Sequence, residues 1–515
     1  MEKRYVKPAL FFILLLAAFL RLYHIGFHEV WYDETRSIAT AQKSLSPYSF
    51  YLYFSYKPLY FLILKLWIYL WGVDAVKLRL LSVIFGILCV FLMYKIGRLI
   101  DNNRLGLVSA FLLSISCFHI YHSQQIRQFT FITALSMGSY YYFLKIMTSP
   151  RDRFFIYNVV FNIAVIFTHP YGLTVVIAQS LSALLVFGAR KGWRWFLYNI
   201  ATCAGIAVWI SLADKARMAR NVWWIKKPGI QSIVETVHTF IYGGPRYGLD
   251  DFWINHNVII INILFLIFVL FMSLGSVRLI RNNRRAFYII LLWFVVPIAV
   301  SWLFSLVLFP VFAIKHLMVA LPPFLLLVAS GIAYLQKRVY ILSMLFLIAV
   351  LMAPFFNILY TKDCSIAWNK AVIYLREGIE PHDAIVIAPL CQLNSFLYYF
   401  RGENKKGMLR DIDTYGKIEN GMLLQCFKED KYYIIGINQT QKRRKVFFLN
   451  EVKKKLKLLD SYKGENFWLL IDRWMGEGEK EIILSILLSK GYLISKKVFQ
   501  GIEVYKFRKK NQKYG

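Results

Sequence analysis

The stretch of sequence that decides the class of this protein runs from residue 257 to residue 277 and reads NVIIINILFLIFVLFMSLGSV. It contains no charged side chain, and the basic cluster RLIRNNRR follows it at residues 278–285. A helix needs about 20 apolar residues to cross the hydrocarbon core of a bilayer. The cytoplasmic ends of such helices carry an excess of Lys and Arg. The two segments together therefore predict a membrane-spanning helix that ends in the cytoplasm.

The same alternation of apolar runs and basic clusters continues through the first 360 residues. It predicts eleven membrane-spanning helices, at residues 8–23, 78–97, 105–121, 129–147, 154–169, 172–189, 195–212, 257–277, 286–306, 317–335 and 339–357. With the N-terminus inside, every segment that would face the cytoplasm is basic, as the positive-inside bias requires. These segments are residues 1–7, 98–104, 149–153, 190–194, 278–285 and 336–338. We therefore predict a multi-pass protein of the cytoplasmic (plasma or inner) membrane.

Composition and charge exclude other classes of protein. Of the 515 residues, 58% are hydrophobic and 18% are charged, which is unlike an ordinary soluble enzyme and unlike a disordered chain. The net charge of +33 would suggest nucleic-acid binding in a soluble protein. Here much of the excess falls in the predicted cytoplasmic loops, so no nucleic-acid partner is predicted.

One long loop departs from the charge rule. Residues 213–256 should be extracytoplasmic, yet they contain several cations. We interpret these cations as functional and predict that Trp223, Trp224 and Arg246 line a cavity that opens outside the membrane. The alternative is an ordinary belt of aromatic residues at the membrane interface.

The first extracytoplasmic loop contains an acidic pair, Asp33-Glu34, within the segment His28-Glu29-Val30-Trp31-Tyr32-Asp33-Glu34. Acids are scarce in the first 360 residues, and a positioned carboxylate beside aromatic side chains can act as a general base. The alternative is that Asp33 or Glu34 caps a helix that begins near Thr35.

The same loop leads through Tyr56-Lys57-Pro58-Leu59-Tyr60 into an apolar segment at residues 61–71. That segment is too short to cross a bilayer and predicts a helix that lies along the interface. Lys57 would then sit at headgroup level. It could bind a lipid phosphate there, or simply extend its ammonium group into water.

These segments resemble the membrane-embedded glycosyltransferases of the GT-C fold, in particular the protein O-mannosyltransferase and aminoarabinose-transferase group. The resemblance covers most of residues 1–360 and depends on the order of several short motifs rather than on any one of them. The motifs are Trp31-Tyr32-Asp33-Glu34, Lys57-Pro58-Leu59-Tyr60, Arg79-Leu80-Leu81-Ser82, Ser123-Gln124-Gln125-Ile126-Arg127, Thr168-His169-Pro170-Tyr171-Gly172 and Lys315-His316-Leu317 with Leu321-Pro322.

The resemblance implies an activity and a set of roles. Such enzymes transfer a sugar, usually with inversion, from a polyprenyl-phosphate carrier to an acceptor outside the membrane, which can be a glycolipid, a polysaccharide or a protein. Asp33 matches the general base and Glu34 the second acid. The phosphate of the donor would be held by three cations, and three further residues would line the cavity. The cations are Lys57, Arg127 and Lys315, and the lining residues are Tyr56, His169 and His316.

This chain also departs from the family pattern. Gln125 replaces the glutamate of the Ser-Gln-Glu-Ala-Arg turn, and Lys315-His316 replaces an Arg-Tyr pair. No cofactor is required by the sequence. A divalent metal is left open, because His119 and His122 share a helical face but have no acidic ligand nearby.

Beyond residue 360 the long apolar runs stop. Residues 361–515 alternate short buried-type strands with helices, which predicts an extracytoplasmic α/β domain. We expect this domain to cover the membrane cavity and to help select the acceptor. Three other functions remain open from the sequence: a transporter or flippase of lipid-linked sugars, a polysaccharide polymerase or ligase that uses a lipid carrier, and a non-catalytic scaffold.

Overall fold

The computed structural model describes residues 3–46, 57–212, 225–243, 258–335, 337–362, 366–380, 383–401, 427–429, 432–437, 445–457, 459 and 464–510. The chain divides into two compact units. The first, which we call the helical unit, comprises Met1–Phe27, Leu45–Leu70 and Val76–Asp363. The second, which we call the sheet unit, comprises His28–Ser44, Trp71–Ala75 and Cys364–Gly515.

The helical unit is built from apolar helices, as a membrane protein requires. Its helices are Lys3–Leu22, Pro58–Trp71, Ala75–Ile100, Asn103–Ser114, Cys117–Ser123, Phe129–Thr148, Asp152–Thr168, Gly172–Val186, Ala189–Leu212, Gln231–Tyr242, Val258–Val307, the 3₁₀ helix Ile314–Ala320, Leu321–Ile332 and Arg338–Thr361. Among the described residues, five helices are long and apolar enough to cross a membrane, or six if the bent pair at residues 103–123 forms one span. Each of the eleven predicted spans coincides with at least part of a helix. The number that cross the bilayer stays a prediction.

The longest helix, Val258–Val307, accounts for two predicted spans. Its backbone leaves the helical region at Asn283 (φ −153°, ψ 69°). The Asn283 side-chain oxygen accepts a hydrogen bond from the Ala286 backbone N–H at 3.2 Å, so it caps the second half of the helix. The break falls within the basic cluster at residues 278–285, where the sequence predicts the chain to turn.

The segments predicted to face the cytoplasm contact one another in the structure. Arg278 forms an ion pair with Asp101 at 2.5 Å, which joins the segments at 278–285 and 98–104. Arg194 forms an ion pair with Asp152, which joins the segments at 190–194 and 149–153. Each ion pair places its two segments on the same side of the membrane, in agreement with the predicted topology.

Four helices of this unit share a buried network of polar side chains. Asn158 donates to the Ser139 carbonyl oxygen at 3.0 Å and to Gln179 at 3.1 Å, and its own oxygen accepts from the Trp195 indole N–H at 2.9 Å. Asn162 donates to Gln179 at 3.1 Å and to Asn199 at 3.0 Å. Hydrogen bonds of this kind hold helices together where lipid gives no hydrophobic driving force between them.

We expect Asn158→Leu to destabilise the helical unit by about 1–3 kcal/mol, because it leaves the buried Trp195 indole N–H without this acceptor and removes hydrogen bonds to two other helices. Thermal unfolding of the detergent-purified protein measures the effect. Ser180→Ala is the matched control, since that hydroxyl bonds only within its own helix, to the Val176 carbonyl, among the contacts described. An equal melting temperature for Asn158→Leu and wild type would mean that the network does not hold the helices.

The sheet unit contains a six-stranded mixed sheet. Its strands are β1 (Ala384–Ala388), β2 (Phe427–Glu429), β3 (Tyr432–Gly436), β4 (Asn466–Asp472), β5 (Gly491–Phe499) and β6 (Ile502–Lys509). The spatial order is β2-β3-β1-β4-β6-β5. The central strand β1 is parallel to both of its neighbours, β3 and β4, while β2, β5 and β6 are antiparallel to theirs.

Helices accompany this sheet, and one of them comes from the N-terminal part of the chain. Residues 364–515 supply the helices Trp368–Gly378, Leu393–Arg401, Lys445–Leu456 and Glu477–Lys490 and the 3₁₀ helix Leu390–Gln392. The remaining helix, Tyr32–Gln42, contacts Leu393–Arg401. The sequence predicts domains at residues 1–360 and 361–515, with the acidic pair in the first. In the structure, the segment His28–Ser44 that carries this pair is grouped with the sheet.

Candidate functional site

The acidic pair lies in the first turn of a short helix. The helix begins at Tyr32, a few residues before the predicted start near Thr35. The Glu34 carboxylate accepts a hydrogen bond from the Trp31 backbone N–H at 3.4 Å, so this acid takes the capping position that the sequence offered as an alternative. Glu34 is buried, whereas Asp33 is half-buried. The two acids therefore have different surroundings, and Asp33 is the more accessible of them.

Within the sheet unit, the segment around Asp33 is attached to the C-terminal part of the chain by several hydrogen bonds. The Val30 backbone N–H donates to the Tyr399 hydroxyl at 2.6 Å. The Thr35 and Ser395 hydroxyls lie 3.3 Å apart. The Asn369 backbone N–H donates to the Glu29 carboxylate at 2.9 Å. Residues of the C-terminal sequence thus hold the backbone that carries the candidate base.

This attachment lies near the carboxyl ends of the central parallel strands. In the register of the sheet, Ala388 at the end of β1 is paired with Ile471 near the end of β4. Gln392 follows β1, and Ser395 donates to its side-chain oxygen at 3.0 Å. Asp472 ends β4, and its carboxylate accepts from the Trp474 backbone N–H at 2.6 Å. In parallel α/β sheets, ligands bind outside the carboxyl ends of strands whose connections diverge.

Asp472 is the most perturbed acid of this edge. It is 2% exposed, and burial raises its pKa to about 6. The protonated form is therefore favoured in the folded state. The free energy of unfolding therefore falls as the pH rises from about 4 to about 6, because over this range the folded protein holds a proton at Asp472 that the unfolded chain has already lost.

We expect the stability difference between wild type and Asp472→Asn to depend on pH. The amide is neutral throughout and can still accept from the Trp474 N–H. Relative to wild type it should gain about 2.4 kcal/mol between pH 4 and pH 7, because a pKa shift of one unit corresponds to about 1.4 kcal/mol and a small part of the effect has already developed at pH 4. Melting temperatures of both proteins across this range measure the difference. A difference that stays constant with pH would show that Asp472 titrates normally.

In the helical unit, the predicted phosphate-binding cations gather around one histidine. Lys57, Arg127, Lys315 and His316 are all close enough to His169 to act on it electrostatically. The His169 and His316 rings have centroids 4.7 Å apart, and the Tyr171 ring lies 5.2 Å from that of His316. Lys57 is 5% exposed, so its stem does not extend into water like that of a surface lysine. This electropositive cluster can attract a phosphate.

The structure links two of the sequence motifs through Ser82. Its hydroxyl is 2.6 Å from the Gln125 carbonyl oxygen and 3.2 Å from that of Arg127. The Ser82 carbonyl in turn accepts from the Thr130 hydroxyl at 3.0 Å. The motif that contains Ser82 begins with Arg79, which donates to the Ile25 carbonyl oxygen at 2.8 Å. Ser82 therefore helps to position the turn that carries Arg127, a function that the motif alone did not suggest.

The two histidines considered for a metal site form other contacts. His119 Nδ1 lies 2.9 Å from the Arg21 guanidinium, which also donates to the carbonyl oxygens of Ser114 and Leu113. His122 Nδ1 lies 3.1 Å from the Gln125 side-chain oxygen. Within the described residues, no three His, Cys, Asp or Glu side chains come together in a way that could hold a metal ion.

Four predicted cavity residues lie outside the described residues: Tyr56, Trp223, Trp224 and Arg246. Of the cations in the loop at 213–256, Lys226 and Lys227 are described, and both are exposed. The loop also contains the helix Gln231–Tyr242.

Comparison with known proteins confirms the resemblance inferred from the sequence motifs. Residues 55–213 match the sequence profile of the family described as Dolichyl-phosphate-mannose-protein mannosyltransferase. No curated protein gives a significant match to the chain.

Solved structures show that the fold is that of GT-C glycosyltransferases. ArnT from Cupriavidus metallidurans in the apo state aligns with a TM-score of 0.59 at 10% identity, over 96% of this chain and 97% of that one. The same protein bound to undecaprenyl phosphate gives 0.58 at 12% identity, over 98% of both chains. The oligosaccharyltransferase AglB from Archaeoglobus fulgidus, in complex with an inhibitory peptide and a dolichol-phosphate, gives 0.52 at 11% identity, over 98% of this chain and 74% of that one.

Proposed function

We propose that this protein is an integral membrane glycosyltransferase that moves a sugar from a polyprenyl-phosphate donor to an extracytoplasmic acceptor. The observation that carries the proposal is the cluster of Lys57, Arg127 and Lys315 around His169, in a chain whose residues 55–213 match a family of mannosyltransferases. Two similar folds were solved with a polyprenyl-type phosphate bound. A cluster of three cations, of which Lys57 and Arg127 are buried and Lys315 is half-buried, suits a phosphate ligand.

In the proposed reaction, Asp33 takes the proton of the acceptor hydroxyl. The acceptor oxygen then attacks the anomeric carbon of the donor sugar from the face opposite the phosphate. The bond between that carbon and the phosphate oxygen breaks, and the polyprenyl phosphate leaves with the electron pair. The sugar is thereby transferred with inversion, and no oxidant, reductant or cofactor is consumed.

The cations stabilise the leaving phosphate as its negative charge develops. Groups held in place before the reaction are the most effective at this task, because they need no reorganisation in the transition state. Arg127 can bind two phosphate oxygens at once, whereas Lys57 and Lys315 act as point charges. Glu34 keeps the loop in place through its contact with the Trp31 N–H.

We place the protein in the cytoplasmic membrane, with the reaction and the sheet unit on the extracytoplasmic side. The charge bias supports this orientation, and the ion pairs Arg194–Asp152 and Arg278–Asp101 agree with it, since each joins two segments that are predicted to be cytoplasmic. The alternatives are a flippase of lipid-linked sugars and a polymerase or ligase that uses a lipid carrier. The family match favours a transferase.

Deleting the gene and comparing the cell-envelope glycolipids, polysaccharides and glycoproteins by mass spectrometry tests the proposal. One class of glycoconjugate should lose a single sugar and regain it on complementation with the wild-type gene, but not with Asp33→Asn. Restoration by Asp33→Asn would contradict a catalytic role for this acid. A loss of whole repeat units, rather than one sugar, would favour the polymerase.

A further inference from the structure

The sheet unit presents an aromatic pair directly beside the candidate base. The rings of Tyr32 and Trp474 are nearly perpendicular, with centroids 5.4 Å apart. Tyr32 precedes Asp33 in the chain, and Trp474 follows β4 at the carboxyl edge of the sheet. Trp474 remains 37% exposed although it belongs to this contact. The ring therefore keeps an accessible face at the edge where sheets of this kind bind ligands.

Polar groups with planar side chains surround this pair. Arg36 donates to the Tyr32 hydroxyl at 3.4 Å. Cys391 lies close enough to Asp472 and Arg36 to interact with them electrostatically. Tyr32 lies close enough to Arg36, Cys391 and Asp33 to do the same. A guanidinium, two carboxyl groups and two aromatic rings therefore lie within one small region of the sheet unit.

We infer that Tyr32 and Trp474 form a subsite for a sugar ring of a carbohydrate acceptor. The inference rests on the proposed function, since it identifies the acceptor as a saccharide rather than a protein. A pyranose has an apolar face of C–H groups that packs on an aromatic ring, and vicinal hydroxyls that pair with planar guanidinium and carboxyl groups. The described region supplies both kinds of contact, and Asp33 directly follows Tyr32 in the chain.

A peptide acceptor would need a different kind of surface. One recurring way for an extended peptide to bind is by adding a strand to an open sheet edge. The outer strand β5 carries Lys496 and Lys497, and lysines on an edge strand discourage such pairing. Among the described residues, the aromatic pair therefore fits a saccharide better than a peptide.

The test measures sugar binding directly and does not depend on catalysis. The full-length protein in lipid nanodiscs is mixed in turn with the methyl glycosides of glucose, galactose, mannose and N-acetylglucosamine, and saturation-transfer NMR records the ring C–H protons. At least one glycoside should receive saturation from wild type. Trp474→Ala should reduce that signal about tenfold, because a ring contact of this kind contributes on the order of 1 kcal/mol or more.

Two further variants make the result specific. Trp474→Phe keeps an aromatic face and should retain most of the signal, and it covers the case in which the alanine variant fails to fold. Trp193→Ala, which removes a tryptophan that is 67% exposed on the helical unit, should leave the signal unchanged. The inference is overturned if no glycoside is saturated, if Trp474→Ala binds like wild type, or if a Ser/Thr-containing peptide displaces the sugar from this site. Sugar binding without any transfer would overturn the proposed function and leave the subsite standing.

Discussion

Replacing Asp33 by Asn is expected to lower the rate of sugar transfer by about 10²- to 10⁴-fold, the usual contribution of a positioned general base. The amide has nearly the shape of the carboxylate but cannot take a proton from the acceptor hydroxyl. Asp33 lies in the first turn of helix Tyr32–Gln42. Thr35 of this helix contacts Ser395, and Val30, just before the helix, donates to Tyr399. The substitution should therefore change the chemistry and leave the fold intact, with the KM for the donor little affected.

The matched control is Glu235→Gln, which neutralises an exposed acid of the loop at 213–256. It should transfer sugar at the wild-type rate. Equal melting temperatures for the three proteins would show that the comparison concerns catalysis. Full activity of Asp33→Asn would remove Asp33 from the mechanism.

Replacing Arg127 by Ala is expected to lower kcat/KM for the lipid donor by about 10- to 100-fold, since a hydrogen bond to a charged group contributes about 1.5–3 kcal/mol. Arg127 belongs to the cluster around His169, and its backbone is held by Ser82. The loss should appear in kcat and in the KM for the donor, while the KM for the acceptor stays close to its wild-type value. Steady-state kinetics with each substrate varied in turn separates the two.

Arg127→Lys should recover part of the activity, because it restores the charge without the bidentate geometry. Lys226→Ala removes an exposed cation of the same unit and should have no effect on donor kinetics. A donor KM and kcat that are unchanged in Arg127→Ala would show that the phosphate is bound elsewhere.

The local pattern of apolar and charged residues is sufficient to predict the helices. The spans at 129–147 and 154–169 agree with Phe129–Thr148 and Asp152–Thr168 because length and hydropathy are properties of contiguous residues. The turn at residues 278–285 is equally local, since Asn283 caps the helix that follows it. The motif Ser123–Arg127 was found by resemblance, but its dependence on Ser82 required the packed structure.

The attachment of the acidic loop to the sheet could not be predicted in this way. Val30 and Tyr399 are separated by 369 positions, and no periodicity or motif connects residues so far apart. A signal for the sheet edge does exist in the sequence: Asp472 and Trp474 directly follow the apolar strand Trp468–Ile471, and polar residues after a buried parallel strand often belong to a site. Without the order of the strands, that signal does not indicate which other segment of the chain lies there.

Sugar transfer in detergent separates a transferase from a transporter. Purified protein is incubated with synthetic polyprenyl-phosphate sugars, each carrying a radiolabel on the sugar, and with acceptor material extracted from the cell envelope. We expect one donor to lose its label to the acceptor and to yield an equal amount of free polyprenyl phosphate, and we expect Asp33→Asn to stop both. A transporter has no compartments to act between in detergent. Absence of transfer from every donor would therefore contradict the proposed glycosyltransferase activity.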